Sequence, residues 1–159
     1  MAIEFNKDIA AYAQGRRVNM EEWNTFTRTN SSADVILFGA PVMDSNVVHS
    51  CAPLDATNGR NVLGIAEANQ VLPHSGDGYQ RFDSVAICEV GVIGVLVGAS
   101  VQKGQVARWD TVAKKWTGAA QSATVVTIPG AQFDTSGSAN DVVALRYRRP
   151  VPSLSVAGA

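Results

Sequence analysis

The sequence predicts an all-β domain, mainly antiparallel, closed as a compact sandwich or barrel and preceded by a short helical or extended N-terminal arm. Three observations carry this. Val85, Ile87, Val90, Val92, Ile93, Val95, Leu96 and Val97 form the longest concentration of β-branched and aliphatic residues in the chain, and such side chains suit a pleated, half-buried surface. Gly98, Gly104 and the pair Asp110-Thr111 then interrupt the pattern at short intervals, as a meander of hairpins does. Short strand patterns separated by turn signals recur along the whole chain, seven to nine in all, which is the mark of a sandwich or barrel.

The elements follow in order. Residues 1–34 form an arm distinct from the rest. Phe5, Ile9 and Tyr12 are spaced to share one face of a short helix that Gly15 ends. Asn19 with Glu22 has capping-box spacing and opens a second helical turn carrying Trp23 and Phe26, with Arg16 and Arg17 between the two pieces. Neither piece reaches the ~12 residues that an isolated helix needs, so the arm must dock on its own domain or on a neighbour. The β-domain spans 35–150. Ala33–Met43 is its first strand, with Gly39 and Pro41 marking a bulge or edge. Residues 44–59 are a polar loop, Asn61–Ala66 a short strand, and Leu72–Tyr79 a second loop.

In the long apolar run the pattern alternates from Ser84 to Glu89, and both faces turn apolar after Gly91. Either the strand becomes covered on both sides there, or a bulge at Gly91 or Gly94 flips its register. Gln105–Trp109 and Lys114–Thr117 make a hairpin; Ala123–Ile128 is a strand closed by Pro129-Gly130. After the loop Asp134–Asn140, Asp141–Arg149 alternates Val143, Leu145 and Tyr147 with Val142, Ala144, Arg146 and Arg148. Residues 151–159 read as a flexible tail.

A chain of 159 residues is long enough to bury a core without disulfides or metals. A net charge of −1 excludes a surface built to wrap nucleic acid. The charged fraction, 17%, lies below the ~25% usual for soluble domains, which suits a surface that ends against other proteins and equally a plain β-domain. The first residues carry charges and lack an apolar h-region, so no signal peptide is expected and the protein is expected to be made and assembled in a cytoplasm. Val90–Val97 is too short for the ~20 residues of a membrane span.

Catalytic chemistry finds little support. His49 and Cys51 are close, but His74 and Cys88 form no second tight pair, so a loop histidine and a core cysteine are the better reading than zinc. Glu67 and Glu89 beside apolar strands could be paired carboxylates of a hydrolase, though strand glutamates more commonly face water or pair across the ladder, for instance with Arg108. Ser75-Gly76-Asp77-Gly78 offers too few carboxylates for calcium, and no phosphate-binding glycine motif occurs. Trp109 and Trp116, with Tyr79, could stack sugars in a carbohydrate- or receptor-binding module, or cover the end of the core. Arg146, Arg148 and Arg149 are the one basic concentration, either a solvated face or a dock for an acidic partner.

Taken together, several blocks are similar to one family. They are Phe38-Gly39 with Pro41-Val42, then Gly64–Gln70, Tyr79, and Val101 with Gly104, Gln105, Val106 and Asp110. Ala131, Phe133, Thr135, Ser136, Val143 and Leu145 complete the set. Their order resembles that of the structural cement, or capsid-decorating, proteins of tailed bacteriophages. The resemblance implies a β-domain that is not an enzyme, holds no metal or cofactor, and binds neither nucleic acid nor membrane. It implies a place on the virion's capsid exterior, bound to a major capsid protein of the HK97 fold and bridging neighbouring capsomers as a dimer or trimer. The residues expected to meet the capsid or a neighbouring subunit are Phe5, Ile9, Tyr12, Arg16, Arg17, Trp23, Phe26, Arg146 and Arg148.

Overall fold

Eleven strands, and no helix, make up the residues that the computed structural model describes, namely 13–55, 61–68 and 77–150. In chain order they are β1 (Asn24–Asn30), β2 (Ile36–Leu37), β3 (Pro41–Asp44), β4 (Ser50–Pro53), β5 (Val62–Ala66) and β6 (Gly78–Tyr79). There follow β7 (Ser84–Leu96), β8 (Val106–Asp110), β9 (Lys115–Thr117), β10 (Val125–Phe133) and β11 (Val142–Arg148).

The apolar run of the sequence is β7, thirteen residues without interruption. Its two halves belong to two different rings of strands. The first half pairs with β1 on one side and β5 on the other; β5 continues to β3, β3 to β4, and β4 returns to β1 through a parallel pairing. The second half pairs with β11 from Val90 to Leu96, and β11 leads through β10 and β8 to β9. That circuit is closed by a bridge between Val97 and Trp116, where Gly98 N–H donates to Trp116 O at 2.8 Å. Closing both rings on one strand leaves few backbone groups unpaired at an edge, the place where β-proteins are open to stray pairing.

The change from alternating to two-sided burial along β7 therefore has the first of the two expected causes. Leu96 to Val90 stay in unbroken register with β11, so neither Gly91 nor Gly94 flips the strand. The bulge lies just before them: Asn24 faces Val90 and Thr25 faces Cys88, which leaves Glu89 as the extra residue against β1.

The buried side chains form two cores, one within the first ring and a larger one that extends from the second ring to Ile65 of β5 and Cys88 of β7. Val85 and Ile87 of β7 pack with Ile36, Val42, Cys51, Leu63 and Tyr79 in the first, while Ile93, Val95 and Val97 pack with Trp116, Ile128, Phe133 and Leu145 in the second. The two-stranded β2–β6 sheet carries Ile36 and Tyr79, both fully buried, into the first core. Trp116 fastens the halves together. Its indole meets Trp109 edge-on at 5.6 Å, and its Nε1–H donates to Gly39 O at 2.7 Å, on the turn between β2 and β3.

Several expectations are corrected. Trp23 and Phe26 are not on a helical turn: Asn24–Asn30 is a strand, and Asn19 Oδ1 accepts from Glu21 N–H in a local turn in place of a capping box. The sequence NTFTRTN alternates and is rich in threonine, and pairing along β7 supplies long-range hydrogen bonds that a marginal local turn cannot match. Ala33–Met43 is two strands, split at Gly39 with its φ of +74. The loop 44–59 contains β4, and β10 runs through Pro129-Gly130 to Phe133 with a register shift between Thr127 and Gln132. The helix expected over Phe5–Tyr12 and the tail 151–159 lie outside the described residues.

Replacing Trp116 by Phe leaves the buried Gly39 carbonyl unpaired and opens space beside Trp109. Such a loss is expected to cost about 2–4 kcal/mol, read as a lower urea midpoint with an unchanged slope.

Candidate functional site

The candidate surface lies where the N-terminal segment meets β7 and β11. Beyond Val90 the flank of β7 that β1 occupied is vacated, and residues 15–18 fill it. Gly15 N–H donates to Gly94 O at 2.7 Å, Gly94 N–H to Arg16 O at 2.8 Å and Val18 N–H to Val92 O at 2.9 Å. Gly15 also accepts from Ala68 N–H at 2.7 Å. Only glycine fits there: its φ is +75, and a Cβ would stand 2.8 Å from Phe38 Cβ and 2.9 Å from Ala68 N.

The chain then crosses the sheet face. Trp23 lies on Gly91, where a Cβ would come 2.3 Å from the indole Cε3, so the missing side chain is what seats the ring. Arg17 stacks on Trp23, its guanidinium carbon 5.3 Å from the ring centroid, and donates to Asn19 O and Glu21 O, each at 2.7 Å. This clasp holds Glu21 and Glu22 over β11, whose alternation puts Arg146 and Arg148 on the outer face. Arg146 bonds Glu21 through both terminal nitrogens and lies 3.5 Å from Asp134; Arg148 pairs with Glu22. Arg149 reaches Glu89 at 3.8 Å, and Asn24 Nδ2 donates to the same carboxylate.

These pairs are exposed, and solvent screening with the entropy of holding two long side chains leaves each of them weak. Backbone bonding and the Trp23 seat position the segment; the ions fix its register. Arg146's hydrogen bonds hold the Glu21 carboxyl below its ordinary value of 4.5, against a weaker upward pull from desolvation.

Of the expected contact residues, the structure brings Arg17, Trp23, Arg146 and Arg148 to this one face. Arg16 is exposed beside it. Phe26 is elsewhere, half-buried against the first core with Arg28 over its ring at 4.9 Å. Phe5, Ile9 and Tyr12 lie outside the described residues. Sequence reasoning missed Glu21, Glu22 and Asp134 as the arginines' partners. The signal available was the acidic doublet matching two arginines at strand spacing, hidden by a separation of 125 residues.

The residues considered for chemistry are dispersed. Cys51 and Cys88 are free and buried, and burial pushes both thiols up to about 12, far from a reactive thiolate. His49 stands exposed on the β3–β4 turn; His74 is outside the described residues. Among the described residues no three His, Cys, Asp or Glu side chains are grouped to hold a metal. Glu67 accepts from Thr25 Oγ1 at 3.0 Å, whereas Glu89 serves Asn24 and Arg149. Arg108 bonds Thr127 and the carbonyls of Gly118 and Ala119 and does not meet either glutamate. Trp109, Trp116 and Tyr79 are buried and present no open ring face for a sugar.

Two fused β-rings with an ion-paired strap across their shared strand define an all-β structural module. The chain belongs to the phage structural cement protein family: the family model described as structural cement protein (E217 gp24/Pam3 gp6) matches residues 2–148. Its role is accordingly structural and associated with a phage capsid. Among solved structures it is similar to a chain from the capsid of Myoviridae phage XM1, with a TM-score of 0.73 and 15% identity over 95% of this chain and 99% of that one. That likeness shows the fold. No curated protein matches the sequence.

Because the folded Glu21 carboxyl titrates lower than a free one, its pairing stabilises the strap above the ordinary value of 4.5 and is lost as pH falls through the folded value. Lowering the pH from about 6 to about 3 should shift the Trp23 indole resonance before the body unfolds. Salt near 1 M, where the Debye length is ~3 Å, should weaken the same contact. Glu21→Gln should abolish the pH step; an identical Trp23 titration in that variant would show that the pair does not hold the strap.

Proposed function

We propose that this protein is a non-enzymatic cement protein that binds the outer surface of an HK97-type capsid and stabilises it by bridging neighbouring capsomers as a dimer or trimer. The observation that carries the reading is the family match over residues 2–148. Assembly in the host cytoplasm on the exterior of the shell belongs to the same reading.

The physics of the fold supports it. Packaged DNA pushes a shell outward, and a cement protein resists by burying surface across the joints between subunits. A body with both rings closed on one strand deforms little under such load. Residues 15–18 are hydrogen-bonded into that body, so the preceding segment leaves from a fixed point and its Phe5, Ile9 and Tyr12 can cover apolar surface on a neighbour. Arg16 and Arg17 stand at its root. Arg146 and Arg148 present guanidinium groups whose present partners are themselves exposed, so acidic groups of a shell subunit can compete for them at small cost. Trp23 acts by holding that surface in place, while Phe26 lies against the first core, away from it. Many symmetric copies make modest individual contacts add up to a firm shell.

The test is co-sedimentation with undecorated heads. The full chain should reach a fixed ratio to the shell protein. Deleting residues 2–12, and not the bonded residues 15–18, should lower affinity at least about tenfold with an unchanged melting temperature, since the loss is one of linked binding area. Equal binding by the truncated chain would refute the arm's part in the contact.

A further inference from the structure

The turn between β6 and β7 presents an arginine and a phenylalanine to solvent. Phe82 is 70% exposed, and its φ of +70 lies in the left-handed region that a bulky side chain seldom adopts. The phenyl therefore adds nothing to either core, and its backbone is strained where a glycine would not be. The turn is nonetheless held firmly. Phe82 N–H donates to Asn30 O at 2.8 Å, Asn30 N–H to Asp83 O at 3.0 Å and Gln80 N–H to Asp83 Oδ2 at 2.7 Å. The fully buried Asn30 side chain adds Nδ2–H bonds to the carbonyls of Tyr79 and Gln80, each at 3.3 Å. An exposed aromatic ring on a strained turn, fixed from beneath by a buried amide, is shaped for contact with something outside the chain.

Its charge points to the kind of partner. Arg81 lies over the Phe82 ring, its guanidinium carbon 4.7 Å from the centroid. Among the described residues no carboxylate pairs with Arg81, whereas Arg146, Arg148 and Arg149 each have one. The adjoining β3–β4 turn is tied to the same end of β1, Thr29 N–H donating to His49 O at 3.2 Å, and it exposes Val47 and Val48. We propose that Arg81 and Phe82 form a second docking point, which seats on an apolar hollow of a shell subunit rimmed by a carboxylate. The phenyl fills the hollow and the stacked guanidinium meets the carboxylate, the side-chain types that interface cores favour. A second copy of this chain fits less well, since a two-fold contact here would bring unpaired guanidinium groups together. The proposal rests on the capsid reading and gives the bridge its second end. Arg146 pairs with Val92, eight residues along β7 from Ser84, so the strap face and this turn stand ~26 Å apart at ~3.3 Å per residue. One rigid body can thus reach two subunits.

The experiment is co-sedimentation of the full chain with undecorated heads, with the melting temperature and sedimentation velocity of the free chain measured beside it. Phe82→Gly should bind at least about tenfold more weakly and melt no lower than the unmodified chain, because glycine takes that φ freely. Arg81→Glu, which keeps the phenyl and reverses the charge, should lose about as much. Binding of either variant as tight as that of the unmodified chain would overturn the proposal and leave the capsid reading standing. Heads that fail to take up the unmodified chain would overturn both. A fall in melting temperature large enough to explain the weaker binding of Phe82→Gly would assign Phe82 to the fold, and an oligomer of the free chain that Phe82→Gly dissolves would assign the turn to a second copy; each of these overturns the proposal.

Discussion

Backbone pairing along β7 is the constraint on which the rest of the molecule depends, because one strand cannot serve two rings unless both of its flanks are used twice. β1 and β5 take the flanks of its first half; β11 and residues 15–18 take those of its second. The hand-over occurs near Val90, which pairs with both Asn24 and Arg148. Here the bulge at Glu89 and the bare face of Gly91 let β1 leave and Trp23 cross. A strand with a side chain at position 91 would keep its hydrogen bonds but lose the seat of the indole, and with it the course of the strap.

The same constraint places the ion pairs of the strap. A strand covered on its inner face has room for ions only outside, so Arg146 and Arg148 lie on the outer side of β11 and meet Glu21 and Glu22 there. There they neutralise one another within the chain. The energy is small per pair, but direction matters more than magnitude: two glutamates held by an arginine–tryptophan stack meet two arginines held by a strand, and only one register satisfies both.

How much of this was legible in the sequence follows the range of the interactions. The run Val85–Val97, the Trp109–Trp116 hairpin and the closing strand at Val143–Tyr147 could be read, because composition and alternation are local properties and burial there agrees with them. β1 and β4 could not. Asn24–Asn30 carries weak local signals that fit a capped turn as well as a strand, and Ser50–Pro53 is too short and polar to stand out from a loop. Both become strands only because partners distant in sequence present unpaired backbone groups. The Glu21–Arg146 pair is the same case for side chains. Each residue type was visible, and the family resemblance was visible in the order of turn and core residues, but the ring closure that brings position 21 to position 146 is not encoded near either.

A cement protein has to be stiff where it stands and adaptable where it touches, and these demands fall on different interactions here. Stiffness comes from buried pairing and packing: the two closed rings and the Trp116–Gly39 bond resist deformation because opening either leaves polar backbone unpaired in an apolar setting. Adaptability comes from the exposed ions along the strap and β11. Exposed ion pairs exchange partners at little cost, since water screens both the pair lost and the pair gained. A chain built in this way can alter its surface contacts while its core pairing stays unchanged.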